Sequence, residues 1–240
     1  MDTQEHIRSI IHADHEALAK AVAARIAEVI SDRRAVGGRA VLGLATGSTP
    51  VGVYRELIRM HREAGLSFAG VITFNLDEYY PMDPGNIHSY HRFMWENFFQ
   101  QIDIDPADVH LLRGDVSRDL LAAMCHDYEA AIAAAGGIDL QLLGIGKTGH
   151  IGFNEPGSGA RSRTRPVTLD AITRKDAAGD FYGEEFVPKE AVTMGVATIL
   201  QAREVMILAT GEHKAAIVRR AVEGDIDTEV AATFLQRHAN

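Results

Sequence analysis

Short, unbroken apolar runs, each ending in a cluster of Gly, Ser, Thr, Asp or Asn, constrain this chain more than any other feature. They are Ala40 to Ala45, Val71 to Leu76, Asp108 to Leu112, Ile138 to Ile145 and Glu204 to Thr210. Each is too brief for a helix and reads as a buried strand. Between them lie stretches of helical character at about Pro50 to Ala64, Ser89 to Phe99, Asp119 to Ala135 and Glu212 to Val222. Apolar strands alternating with helices predict an α/β fold: a mostly parallel sheet with helices on both faces, a Rossmann-like three-layer arrangement. In such sheets ligands bind beyond the carboxyl ends of the strands, so functional groups are expected just after each run.

At the N-terminus, Ile7, Ile10, Ile11, Leu18, Val22, Ile26, Val29 and Ile30 recur every three or four positions, which predicts an amphipathic helix from Thr3 to about Ser31. Between Phe153 and Met194 the periodicity is weak, so long loops with a short helix around Ile172 to Ala178 are expected there. That stretch would suit a lid or a contact between subunits, and a homo-oligomer is compatible with it. No repeat or linker interrupts the 240 residues, so residues 1–240 are expected to form a single domain.

Composition narrows the partners. With 24 Lys and Arg against 33 Asp and Glu, the net charge of -9 opposes binding to nucleic acid or an anionic membrane. No run approaches the roughly 18 apolar residues of a membrane span, and the start MDTQEHIRSI lacks the basic-then-apolar order of a secretory signal. Cys125 is the one cysteine, so no intrachain disulfide can form, and its AAMCHDYEA setting reads as a helix face. A cytoplasmic compartment is expected.

Three segments carry chemistry. After the first strand, Thr46-Gly47-Ser48-Thr49-Pro50 leads into a helix, with Thr49 placed to cap it and Pro50 in its first turn. Free amides, the helix dipole and three hydroxyls make an anion site, with phosphate as its natural occupant. The loop lacks the Gly-Lys-Ser/Thr ending of a Walker motif and is not GxGxxG. A well-capped structural turn is the alternative reading.

The second strand ends in Asn75-Leu76-Asp77-Glu78-Tyr79-Tyr80, adjacent carboxylates beside aromatics. One of the pair is expected to face the pocket, with Glu78 also a candidate substrate contact. A partly desolvated acid at this rim suits proton transfer between neighbouring carbons of a sugar, with capping or an ion pair as the alternative. The fourth strand enters Gly144-Ile145-Gly146-Lys147-Thr148-Gly149-His150-Ile151-Gly152-Phe153-Asn154-Glu155. Its glycines, Gly146 and Gly149 among them, allow backbone to approach a ligand. His150 offers an imidazole for proton transfer, and Glu155 is close enough in sequence to bond its second ring nitrogen, in a catalytic or a purely structural pair. A metal is not expected, because His150 and Glu155 lack a third ligand and His88 and His91 fit a solvated helix start. Lys214, opening the helix after the last strand, offers a cation to phosphate, while Arg163 and Arg165 fit loop ion pairs equally well.

Taken together, GLATGSTP, FNLDEYY, NIHSYHRFMWENFF, LLGIGKTGHIGFNEPGS, SRTR, TMGVATIL and ATGEHKA, from roughly Val41 to Gln236, resemble the glucosamine-6-phosphate deaminase family. The sister 6-phosphogluconolactonases share a similar Gly-Thr-Pro loop and Gly-His segment but lack Phe-Asn-Glu-Pro after the His. The resemblance implies that glucosamine 6-phosphate and water give fructose 6-phosphate and ammonium, without metal or organic cofactor. It casts Asp77 as the base that moves a proton from carbon 2 to carbon 1, His150 as the ring-opening group tuned by Glu155, and Thr46 to Thr49 with Lys214 as the phosphate site.

The chain departs from the pattern at three places. Thr148 stands where the family has an Asp beside the His, and Gly179-Asp180 precede Phe181 where the family carries a phosphate-binding arginine. Arg174 would substitute for it only in a differently folded loop. Val167 stands where allosteric relatives have a lysine, so effector activation is not implied. The chain also stops at Asn240, where family members usually continue, so either the sequence is truncated or its sheet edge is short. Competing readings are a sugar-phosphate sensor with weakened catalysis and a lactonase-like hydrolase.

Overall fold

The computed structural model describes residues 7–240. Strands β1 (Val41–Leu44), β2 (Ile72–Asn75), β3 (Asp77–Tyr80), β4 (Val109–His110), β5 (Leu140–Gly144), β6 (Arg165–Thr168), β7 (Glu190–Thr193) and β8 (Glu204–Leu208) form two sheets. The larger is wholly parallel, in the order β4-β2-β1-β5-β8. Four of the predicted strands match their apolar runs closely, and the Asp108 to Leu112 run contributes only the two residues of β4.

Alternation along these strands feeds two cores. Leu42, Leu44, Leu140 and Leu142 face helices α1 (His15–Ala35), α2 (Ser48–Ala64) and α3 (Tyr90–Asn97), through residues such as Ile26, Tyr54 and Met94. Val41, Phe74 and Leu143 face α4 (Leu121–Ala134) and the segment around Phe234 on the other side. The sheet is thus covered on both faces, as a continuous apolar strand requires. Cys125 lies buried in α4, where burial and nearby Glu129 push its thiol up to about 11, so it behaves as a small apolar side chain.

Two expectations need correction. The N-terminal helix begins at His15, not Thr3, because the Asp14 carboxylate accepts the Ala17 N–H at 2.8 Å and starts the helix there. Residues 7–14 are not helical, and Thr3 to His6 lie outside the described residues.

The region from Phe153 to Met194 is more than loops and the short α5 (Ala171–Ala177). It contains β6 and β7, which with β3 make a three-stranded antiparallel sheet in the order β3-β7-β6. The run through Asn75 to Tyr80 is therefore two strands in two sheets, divided at Leu76. The Leu76 N–H donates to the Leu44 carbonyl at 3.0 Å, and its own carbonyl accepts the Met194 N–H at 2.7 Å.

The remaining helices are α6 (Val196–Leu200) and α7 (Ala215–Glu223). At the β8 edge, the Val205 N–H donates to the Asn240 carbonyl at 3.1 Å, and Arg25 reaches Glu204 at 2.8 Å. Among the described residues no helix is long and apolar enough to cross a membrane.

Candidate active site

The parallel sheet winds outward from β1 through β2 to β4, then returns to β5 on the other side of β1. Connections leaving β1 and β5 thus diverge, and a crevice opens between them at their carboxyl ends. A cavity of about 450 Å³ lies there. It is lined by Thr46, Gly47, Ser48 and Thr49 after β1, Asp77 of β3, Gly146, Lys147 and His150 after β5, and Lys214 before α7.

On the β1 side, Gly47 takes φ +93°, a conformation that suits glycine, and turns the chain abruptly into α2. No side chain caps this helix; Thr49, expected as the cap, lies inside its first turn. The amides of Ser48 and Thr49 are left without an intrahelical acceptor at the positive end of a 17-residue dipole. Lys214, opposite, donates to the Ile145 carbonyl at 2.8 Å, and burial lowers its pKa.

Asp77 and Glu78 part company because side chains alternate along β3. Asp77 lines the cavity and is 8% exposed; burial, then the neighbouring Glu78 charge, push its carboxyl up to about 8. Glu78, expected among substrate contacts, instead lies off the cavity and anchors α3. Its carboxylate accepts from Ser89 Oγ at 2.8 Å, the amides of Tyr90 and His91 at 3.0 and 2.9 Å, and the Tyr79 amide at 2.9 Å. Burial nevertheless leaves its pKa raised.

His150 is held from behind. Its Nδ1 lies 3.1 Å from Glu155 Oε2, 3.0 Å from Thr148 Oγ1 and 3.3 Å from Thr173 Oγ1. An ionised carboxylate only accepts, so Nδ1 carries the proton and Nε2 the lone pair in the neutral ring. Burial works against the Glu155 charge, but bonding to His150 and Thr173 and the Asp170 amide hold its pKa below the usual range. Glu155 and Thr148 therefore meet the imidazole without lining the cavity. The ring lies against Gly146: a Cβ there would fall 2.2 Å from His150 Nε2.

Two further expectations are not met. Gly149 packs against Val230 and Ile217, with its carbonyl accepting from the Ala232 amide at 2.9 Å. Arg174 points to Glu184 at 3.8 Å and is not on the cavity wall, so it does not replace an arginine there. Sequence reasoning missed Tyr90, Asp176 and His213, which line the cavity, and Thr173 behind the imidazole. Tyr90 and His213 sat within quoted motifs, but Asp176 and Thr173 become visible only once α5 is placed. Among the described residues, no cluster of three or more His, Cys, Asp or Glu side chains could hold a metal ion.

An open helix end, a buried acid and an oriented imidazole around one cavity at the switch point define a small-molecule site able to hold an anion and move protons. The chain belongs to the family of glucosamine-6-phosphate isomerases and 6-phosphogluconolactonases, whose profile matches residues 13–240. A glucosamine-6-phosphate deaminase of Shewanella loihica is 51% identical over 198 residues, 82% of this chain and 73% of that one. A solved monomeric glucosamine-6-phosphate deaminase is 41% identical, with a TM-score of 0.93 over 98% of this chain and 95% of the other. The 6-phosphogluconolactonase of Trypanosoma brucei shares the fold at 23% identity, with a TM-score of 0.74 over 96% of this chain and 92% of that one.

Proposed function

We propose that this protein is a glucosamine-6-phosphate deaminase that converts glucosamine 6-phosphate and water to fructose 6-phosphate and ammonium. The observation that carries the reading is the meeting of Asp77, His150 and the open α2 terminus around one cavity. Similarity to deaminases at 51% and 41% identity supports it over the lactonase reading, which has the shared family profile and a likeness of fold at 23% identity behind it. A catalytically weak sensor is the less favoured alternative, since the imidazole keeps a carboxylate partner in Glu155 despite Thr148. The proposed setting is the cytoplasm, with a small sugar phosphate rather than nucleic acid or membrane as partner.

In this mechanism the phosphate rests on the Ser48 and Thr49 amides and the hydroxyls of Thr46, Ser48 and Thr49, with Lys214 as counter-charge. His150, with Nδ1 committed to Glu155, uses the Nε2 lone pair to take the proton of the carbon 1 hydroxyl and pass it to the ring oxygen, and the sugar opens to the aldehyde. The Asp77 carboxylate removes the carbon 2 proton, made acidic by the new aldehyde, and returns it to carbon 1. The resulting carbon 2 imine adds water and releases ammonia, leaving the ketose.

Incubation of the protein with glucosamine 6-phosphate is expected to yield fructose 6-phosphate and ammonium in equal amounts. Lactone opening without ammonium release would replace this reading with the hydrolase one, and tight binding of the sugar phosphate without turnover with the sensor one. Gly146→Ala tests the imidazole: the added methyl overlaps the ring, and displacement by about 1 Å is expected to cut kcat roughly 10²-fold. Affinity for inorganic phosphate should be unchanged. Unaltered turnover would show that the His150 position is immaterial.

A further inference from the structure

The cavity holds two ammonium groups in unlike states. Lys214 is half-buried and committed to the Ile145 carbonyl. Lys147, from the turn after β5, lines the same cavity with its side chain 56% exposed, and its Nζ sits 2.5 Å from Asp176 Oδ1 of α5. Lys147, Asp176 and Lys214 all line this one cavity.

A phosphate monoester brings about 1.5 to 2 negative charges at neutral pH. The cradle of amides and hydroxyls after β1 meets it with no full charge of its own, and Lys214 supplies only one. We propose that Lys147 is a second phosphate-binding cation, held by Asp176 while the cavity is empty and passed to the phosphate when the sugar phosphate enters. The inference rests on the sugar-phosphate reading above and names a specificity-determining residue of that site.

Three physical points support the exchange. A half-exposed ion pair contributes little net stability, so breaking it costs little. Lysine is a compact charge on a flexible stem with three donors, suited to changing partners. Asp176 also lines the cavity, so an arriving dianion repels its carboxylate while attracting the ammonium beside it. Asp176 is accordingly a positioning residue that acts through Lys147, and it sets a small penalty on anion binding.

The test measures inorganic phosphate affinity by calorimetry, and KM and kcat for glucosamine 6-phosphate, in wild type, Lys147→Met, Lys147→Arg, Asp176→Asn and the double variant Lys147→Met/Asp176→Asn. Lys147→Met is expected to weaken phosphate binding about 10-fold and to act mainly on KM, with Lys147→Arg restoring most of the loss. Asp176→Asn is expected to tighten phosphate binding two- to fivefold, and to lose most of that effect when Lys147 is Met. Phosphate affinity within twofold of wild type in Lys147→Met overturns the proposal. So does weakened phosphate binding in Asp176→Asn, which would mark the pair as a strut holding α5. Because the phosphate titration needs no turnover, a wild type that binds phosphate in a Lys147-dependent way yet releases no ammonium would refute the deaminase reading and leave this one standing.

Discussion

Asp77→Asn is expected to lower ammonium release from glucosamine 6-phosphate by about 10³-fold, while phosphate affinity stays within twofold of wild type. Asparagine matches aspartate in shape but cannot take a proton from carbon. The phosphate cradle belongs to different elements, the turn after β1 and the residue before α7, so it should not register the change. Wild-type kcat/KM should rise with pH near pH 8, because the carboxyl must first lose the proton that burial makes it keep. A variant that retained a tenth of wild-type turnover would place the proton transfer on another group.

The same substitution should change how stability depends on pH. In the folded chain Asp77 keeps its proton to about pH 8, against 3.8 for an ordinary aspartate. Between those values the native state binds one proton more than the unfolded state, so this residue's contribution falls by about 1.4 kcal/mol per pH unit. It is fully present below about pH 4 and gone once pH has passed 8. Asparagine does not titrate, so the stability of Asp77→Asn relative to wild type should climb across that window, reaching of the order of 5 kcal/mol at pH 9. Denaturant unfolding of both proteins at pH 5, 7 and 9 measures it, and a constant difference would mean that the acid ionises normally in the native chain. A gain in stability joined to a loss of activity is the signature of a charge kept in an unfavourable place for its chemistry.

What the sequence disclosed and what it concealed follow from the range of the interactions involved. Strands β1, β2, β5 and β8 were legible because burial on both faces makes them continuous apolar words. Asp77, His150 and the Thr46 to Thr49 loop were legible because each lies just past such a strand. The antiparallel sheet was not: β3 follows β2 after one residue and merges with it in the sequence, and its partner β7 lies more than a hundred residues away. β6 also has every second residue exposed and contains Pro166, which weakens its strand pattern. Missing that sheet is why Glu78 was placed beside Asp77 in the cavity, since only the alternation of a strand separates the two. Ile7, Ile10 and Ile11 have helical spacing, but one side-chain acceptor at Asp14 decides where α1 starts. The Lys147–Asp176 pair depends on where α5 packs, which no local pattern encodes.

Leu76 has a consequence beyond the division of one run into two strands. By bonding to Leu44 on one side and Met194 on the other, it rivets both sheets together immediately before Asp77. The acid is thereby aimed by backbone tied to both sheets, whereas Asp176 and Thr173 come from a seven-residue helix. Redesign of α5 should therefore retune which sugar is admitted while the direction of proton abstraction stays put. A change that slackens the rivet should impair every substrate alike.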